Sequence, residues 1–309
     1  MMILKPKFWN EKNSLISLIL IPISFILQLL IEIKKRTTIQ KSFKIPIICI
    51  GNIYLGGTGK TPLSIMLAKE LINLKKKPAI IRKYYPEHLD EHNLINNTLD
   101  CLFVKKNRYK AIINAEEKKY NVAILDDGFQ DFSIKKDLNI LCFNSKQLIG
   151  NEMTLPSGPL REGMDAIKRT QIVIINGNKN ELFEEKILNI SKKVKIFYSK
   201  YLPLNIEKFK GKKLFAFAGI GNPNNFFNLL SESNLNLEKK LAFPDHYKFS
   251  KIEIQKMVED SLKNNLELIT TEKDYFRIKD YGFKNIKYIK IKLEISKKDK
   301  FITQILDYL

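Results

Sequence analysis

A chain of 309 residues with 53 Lys and Arg against 33 Asp and Glu carries a formal charge of +20 and is long enough for two α/β units plus an appendage. Only six of the basic residues are Arg, and Ile and Asn are abundant, the bias of an AT-rich genome. Arg is the preferred reader of phosphates and base edges and no nucleic-acid motif is present, so nucleic acid is not an expected partner. Cys49, Cys101 and Cys142 sit in apolar strand-like runs without metal-ligand spacing, which excludes a disulfide framework and fits a reducing, cytosolic environment.

Leu15 to Ile31 is an almost unbroken apolar run, with Lys5, Lys7 and Lys12 before it and Lys34, Lys35 and Arg36 after it. Its length lies at the lower edge of the roughly 17–25 residues that span a bilayer. Pro22 interrupts it, and Ser14, Ser17, Ser24 and Gln28 share one face at helical spacing. No small-residue cleavage site follows, which disfavours a signal peptide, and a buried core helix sits oddly beside the cationic flanks. The expectation is a membrane-embedded or interfacial anchor over residues 1–36, its cations at anionic headgroups, where each nearby Lys contributes about 1 kcal/mol.

From Thr37 on, short apolar runs alternate with helical patterns. Strands are expected at Ile47–Ile50, Ala79–Ile81, Leu102–Val104, Val122–Leu125, Asn139–Phe143 and Ile172–Ile175, with a helix over Thr61–Leu74. That alternation predicts a mostly parallel sheet covered by helices, the P-loop NTPase type of α/β fold, over residues 37–200. Lys200–Lys213 reads as a linker. A second, smaller α/β domain follows over residues 201–309, with strands near Leu214–Ala218, Leu266–Thr270 and Ile286–Ile291.

The run Ile47–Ile50 leads into Gly51-Asn52-Ile53-Tyr54-Leu55-Gly56-Gly57-Thr58-Gly59-Lys60-Thr61 and then into the helix. Backbone N–H groups of such a loop and a helix N-terminus bind phosphates, Lys60 reaches the β/γ-phosphates, and the Thr61 hydroxyl suits Mg²⁺. Tyr54 occupies the place of the first glycine of the usual pattern, so the expected nucleotide contacts run through Tyr54, Leu55, Gly56, Gly57, Thr58, Gly59, Lys60 and Thr61. The apolar strand Val122–Leu125 ends in Asp126-Asp127-Gly128, the carboxylate element that a Mg²⁺-dependent P-loop site requires, with Asp126 as metal ligand.

These segments resemble the tetraacyldisaccharide 4'-kinase family. The matching pieces are GNIYLGGTGKTP (Gly51 to Pro62), LDDGFQD (Leu125 to Asp131), LPSGPLREG (Leu155 to Gly163), AGIGNP (Ala218 to Pro223), FPDHYKF (Phe243 to Phe249) and TEKD (Thr271 to Asp274), in the family's order. The resemblance implies ATP-dependent phosphorylation of the 4'-hydroxyl of a tetraacyldisaccharide 1-phosphate, in lipid A biosynthesis, at the cytoplasmic face of the inner membrane. Ile81-Arg82-Lys83-Tyr84 stands where the family has Ser-Arg-Gly-Tyr, without the glycine-rich stretch that follows it there. Asp131 replaces a His and Gly163 a Pro.

The resemblance also implies roles. Leu89-Asp90-Glu91 matches the element whose Asp is the base for the acceptor hydroxyl, although it also reads as a solvated acidic turn. His246 would pair with Asp90 as a dyad, across a cleft between two facing domains. Asp127, beside the presumed metal ligand, is the alternative base. Arg161 is expected to clamp substrate phosphate, with Tyr84 and Gln130 lining the same cleft, and Glu162 to sit near Mg²⁺. His88 and His92 have i, i+4 spacing but no further ligand motif, and are expected to be exposed. Glu272-Lys273-Asp274 is expected on the nucleotide side. The competing function is a membrane-associated P-loop ATPase that switches a protein partner.

Overall fold

The computed structural model describes residues 6–86, 89–245 and 247–309, without the side chain of Asp90. The predicted base Asp90, at the level of its side chain, and its predicted partner His246 therefore lie outside the described residues, as does His88. A 3₁₀ turn at Lys7–Asn10 precedes α1 (Leu15–Ile19) and α2 (Ile21–Thr37). Pro22 stands in the first turn of α2, where its missing N–H is not needed. Then follow β1 (Ile47–Gly51), α3 (Lys60–Asn73), β2 (Pro78–Lys83), α4 (Leu89–Asn96), β3 (Leu102–Lys105), α5 (Arg108–Glu117), β4 (Val122–Asp126) and β5 (Leu138–Asn144). The chain continues through β6 (Ile172–Asn176), α6 (Glu181–Ile190), β7 (Lys195–Pro203), β8 (Lys213–Ala218), α7 (Pro223–Glu232), β9 (Asn236–Ala242) and α8 (Lys251–Lys263). It closes with β10 (Glu267–Thr271), α9 (Glu272–Ile278), β11 (Ile286–Ile289), β12 (Ile291–Ile295) and α10 (Lys298–Leu306).

Two compact units result. The larger comprises residues 6–84, Cys101–Lys200 and Glu294–Leu309; the smaller comprises Tyr85–Asp100 and Tyr201–Leu293. This differs from the contiguous division expected at residue 200. The segment around α4 leaves the P-loop unit because α4 packs on α9, where Lys273 Nζ lies 2.9 Å from Glu91 Oε1. The last residues return to the P-loop unit, where Phe301 of α10 is fully buried against Phe197 of β7 and Lys298 Nζ lies 2.7 Å from Glu70 Oε1 of α3. The stretch expected to be a linker is partly strand: β7 runs to Pro203, and a 3₁₀ turn at Ile206–Phe209 buries Phe209.

The larger unit is built on an eight-stranded sheet in the order β12-β7-β6-β5-β1-β4-β2-β3. The pairs from β7 through to β3 are parallel, and β1 lies between β4 and β5 with Ile50 beside both Asp126 and Ile140. β1 and β4 are buried throughout because helices cover both faces of a parallel sheet. Leu63, Leu67 and Leu71 of α3 are fully buried, each contributing roughly 1.5–3 kcal/mol. Strand order reverses at β1, so the crevice at the carboxyl ends of β1, β4 and β5 is the place where such sheets bind ligands.

The smaller unit holds a parallel four-stranded sheet, β11-β10-β8-β9, around Phe215, Phe217 and Phe249. Its edge strand β9 carries Glu238, Lys239 and Lys240 exposed, a charged edge that resists pairing with other chains.

The N-terminal helices are turned inside out relative to an ordinary surface helix. Phe25 is 69% exposed and Ile19 75%, with Leu15, Ile16, Ile23, Ile26 and Leu30 also outward, while Ser17 and Ser24 are buried. No helix among the described residues is long and apolar enough to cross a membrane.

Candidate active site

The P-loop leaves β1 at Gly51 and enters α3 at Lys60. Two glycines make the turn possible: Gly56 has φ 134° and Gly59, the N-cap of α3, φ 92°, both in the region that side chains disfavour. Buried Asn52 ties the loop together, its Nδ2 donating to Tyr54 O at 2.6 Å, Gly56 O at 3.1 Å and Thr58 Oγ1 at 3.1 Å. The first N–H groups of α3 have no intrahelical acceptor and, with the helix dipole, make an anion site at Lys60 and Thr61. Two predicted nucleotide contacts are already committed elsewhere. Leu55 N donates to Pro159 O at 2.9 Å, and the Tyr54 ring is buried in the core, which leaves neither that N–H nor that ring open to a ligand.

Asp126 and Asp127 end β4, beside β1. Thr61 Oγ1 donates to Asp126 Oδ2 at 2.9 Å, which joins two of the three predicted metal-site residues. Arg82, at the end of β2, places Nη1 3.1 Å from Asp126 Oδ2 and 3.4 Å from Thr61 Oγ1, compensating a carboxylate that is 1% exposed. Asp127 has φ 59° and turns its carboxylate toward two cations: Lys60 Nζ at 3.7 Å and Arg161 Nη1 at 3.0 Å. Arg108 Nη2 donates to Asp127 O at 2.7 Å. Burial would raise the Asp127 pKa, but Lys60, Arg161, Arg108 and Arg82 outweigh it and hold the carboxyl well below the usual range. With the folded value depressed, its stabilising contribution is present above the ordinary carboxylate pKa and is lost only as pH falls through the lower folded one.

Around this pair lies a second layer. Gln130 Nε2 donates to Asn52 O and to Glu162 Oε1, both at 3.0 Å. Glu162, expected near Mg²⁺, accepts from Arg169 Nη2 at both oxygens, at 2.7 and 2.6 Å, and is 6% exposed. Arg169 also stacks over Phe129, 4.1 Å from the ring centre. Asp131, standing where the family has His, pairs with Arg108 Nη1 at 3.2 Å and accepts from Ser133 Oγ at 2.6 Å. Tyr84 follows β2 and is 40% exposed. Lys60, Thr61, Asp126, Asp127, Gln130, Arg161 and Glu162 are thus brought together, and Asn52, Arg82, Arg108 and Arg169 touch this group without having been singled out as site residues in the sequence. Arg82 had a signal: an Arg within the apolar run of β2 demands a buried acid.

The smaller unit treats its motifs differently. Asp274 is fully buried; its Oδ2 accepts from Gly219 N at 2.9 Å and Thr271 Oγ1 at 2.7 Å, and Arg277 Nη1 lies 2.6 Å from Oδ1. Burial raises its pKa, with Arg277 opposing. TEKD and AGIGNP are therefore fastened to each other, a structural knot inside this unit. Lys273 Nζ reaches Glu91 Oε1 at 2.9 Å and Asp245 Oδ1 at 3.6 Å, the sequence neighbours of Asp90 and His246. Both segments belong to one unit, so pairing Asp90 with His246 does not require two domains to face each other. His92, expected to be exposed, is 6% exposed. No cluster of three or more His, Cys, Asp or Glu suited to a metal occurs among the described residues. Burial pushes the Cys49 thiol up to about 11 and Cys142 to about 12, so neither supplies a nucleophile.

The sequence profile of the tetraacyldisaccharide-1-P 4'-kinase family matches residues 16–309. The tetraacyldisaccharide 4'-kinase of Pelagibacter ubique is 42% identical over 296 residues, covering 94% of each chain. That of Rickettsia typhi is 32% identical over 312 residues, covering 95% of this chain and 94% of its own length. That of Francisella tularensis subsp. novicida is 31% identical over 326 residues, covering 94% and 99%. The crystal structure of LpxK from Aquifex aeolicus in complex with ATP superposes with a TM-score of 0.72 at 24% identity, over 95% of this chain and 99% of that one. That likeness carries the fold.

Proposed function

This chain belongs to the tetraacyldisaccharide-1-P 4'-kinase family and is an ATP-dependent lipid A 4'-kinase, and we propose that the Thr61–Asp126 pair beside Lys60 is the centre of its phosphoryl transfer. The observation that carries this reading is the 2.9 Å approach of the Thr61 hydroxyl to Asp126 at the carboxyl ends of adjacent parallel strands. Two hard oxygen donors fit Mg²⁺, which takes one or two protein ligands and fills its other positions with phosphate oxygens and water. When bound, the cation neutralises charge on the phosphates. Glu162, with both oxygens held by Arg169, orients Gln130 and stands outside the metal set.

Gly56–Thr61 cradle the phosphates with backbone N–H groups, and Lys60 moves from Asp127 onto the transferring phosphoryl group. Asp127 stays ionised and has a poor appetite for a proton, so its work is to orient Lys60 and Arg161. The family resemblance assigns deprotonation of the 4'-hydroxyl to Asp90, with His246 as its partner. Arg161, Gln130 and Tyr84 hold the acceptor. The apolar outward face of α1 and α2, flanked by Lys and Arg, lies in the interfacial layer of the cytoplasmic leaflet of the inner membrane, among anionic lipids and beside the glycolipid substrate.

The test is direct. The purified chain with ATP, Mg²⁺ and tetraacyldisaccharide 1-phosphate is expected to add one phosphoryl group to the acceptor, seen by mass spectrometry, and to leave ATP intact without acceptor. Acceptor-independent hydrolysis with no phosphorylated lipid would favour the switch ATPase instead.

A further inference from the structure

The loop that carries Arg161 is clamped from two sides. On one side it meets the P-loop: Leu55 N donates to Pro159 O at 2.9 Å, and Arg161 N to Ile53 O at 2.6 Å. On the other it meets the N-terminal helices. Ser24 Oγ lies 2.7 Å from Ser157 Oγ and 3.0 Å from Thr154 O, and accepts the Ser157 N–H at 3.0 Å. Asn151 Nδ2 donates to Ser17 Oγ at 3.0 Å, Trp9 Nε1 to Pro156 O at 3.0 Å, and Gln28 Nε2 to Arg161 O at 3.3 Å.

A helix that served only as an anchor would need an apolar outer face and could pack an apolar inner one. Here the inner face is polar and complementary to the loop's backbone, with Ser17 and Ser157 fully buried and Ser24 nearly so. Such a network fixes register, because sliding the helix by one turn would leave buried donors and acceptors without partners. The hydrogen bonds run from α2 through the loop to Arg161, and Arg161 ends on Asp127.

We propose that α2 is a positioning element of the phosphoryl-transfer site: Ser24 and Gln28 are positioning residues that hold the Thr154–Arg161 loop so that the Arg161 guanidinium is set against Asp127. The inference rests on the assignment of Arg161 and Asp127 to that site. The membrane-facing helix and the catalytic geometry are thereby one mechanical unit.

A double-mutant cycle on the full chain tests it, using Gln28→Met, Arg161→Ala and the pair, with Mg²⁺, ATP and tetraacyldisaccharide 1-phosphate. Gln28→Met is expected to lower kcat about ten-fold, the scale of a sub-ångström misplacement. The KM for ATP, the melting temperature and sedimentation with anionic phospholipid vesicles should not change. In the Arg161→Ala background the same substitution is expected to cost nothing further, because it acts through the side chain already removed. Equal losses in both backgrounds, or an unchanged kcat in Gln28→Met, overturns the proposal. Wild-type turnover in Arg161→Ala removes Arg161 from the site and the inference with it, while phosphorylated product in that variant leaves the kinase reading standing. Ser24→Ala, assayed beside them, should reproduce the kcat loss with vesicle binding intact.

Discussion

Helices α2 and α3 are both rich in Leu and Ile, and they bury opposite kinds of side chain. In α3, Leu63, Leu67 and Leu71 face the sheet and disappear from solvent. In α2, Phe25 and Ile26 stay exposed while Ser24 is buried against Thr154 O and the hydroxyl and N–H of Ser157. Hydropathy describes a helix but does not say which side turns inward; that depends on the surface it meets. A sheet face without polar partners takes leucines, whereas a loop that presents backbone donors and acceptors takes serines. α2 thus carries a polar face matched to the loop it packs on and an apolar face left open to solvent.

The comparison can be broken at three places. The largest effect belongs to the N-terminus of α3, where Lys60→Ala and Thr61→Ala are each expected to lower kcat by about 10²–10³-fold with the circular dichroism spectrum unchanged. Near-parental turnover in both would take the P-loop out of the chemistry. Further along the same helix, Leu67→Ala should cost about 2–5 kcal/mol of stability, measured as a lower urea midpoint. An unchanged midpoint would show that the buried face is not what holds α3. On α2, Phe25→Ser combined with Ile26→Ser should move stability by less than about 0.5 kcal/mol and instead weaken sedimentation with anionic vesicles. A large loss of stability with undiminished sedimentation would reverse the comparison.

Much of the P-loop unit was legible. Six strands of its sheet announce themselves as apolar runs, and the phosphate loop and Asp126-Asp127 stand at the ends of two of them. The serine row of α2 was also visible as a row, but its partners lie more than a hundred residues away, and local patterning says nothing about them. β9 escaped notice because an exposed edge strand, Asn236–Ala242, has no apolar run to offer. The grouping of Tyr85–Asp100 with the smaller unit depends on α4 meeting α9, again a distant pairing. The site arginines had a compositional signal. In a chain with six Arg among 53 basic residues, Arg82, Arg108, Arg161 and Arg169 all gather around Asp126, Asp127, Asp131 and Glu162. A guanidinium spreads its donors over several acceptors, as Arg108 does between Asp131 and Asp127 O, and is more weakly hydrated than an ammonium, so Arg is worth locating first where Lys is the common cation. The Glu162–Arg169 pair escaped the sequence for the complementary reason: nothing in its spacing distinguishes it from a surface pair.

The order in which the strands are made has a consequence for biosynthesis. β7 leaves the ribosome long before β12, which is its neighbour in the sheet, and residues 204–290 are made in between. Until Ile291–Ile295 emerges, the outer edge of β7 is open, and Phe197 lacks the ring of Phe301 that covers it. A nascent or prematurely stopped chain therefore offers an unprotected edge to other chains and to quality-control proteases, although its nucleotide loop has long been complete. β12 and α10 act as a seal that a chain stopped before residue 291 cannot apply.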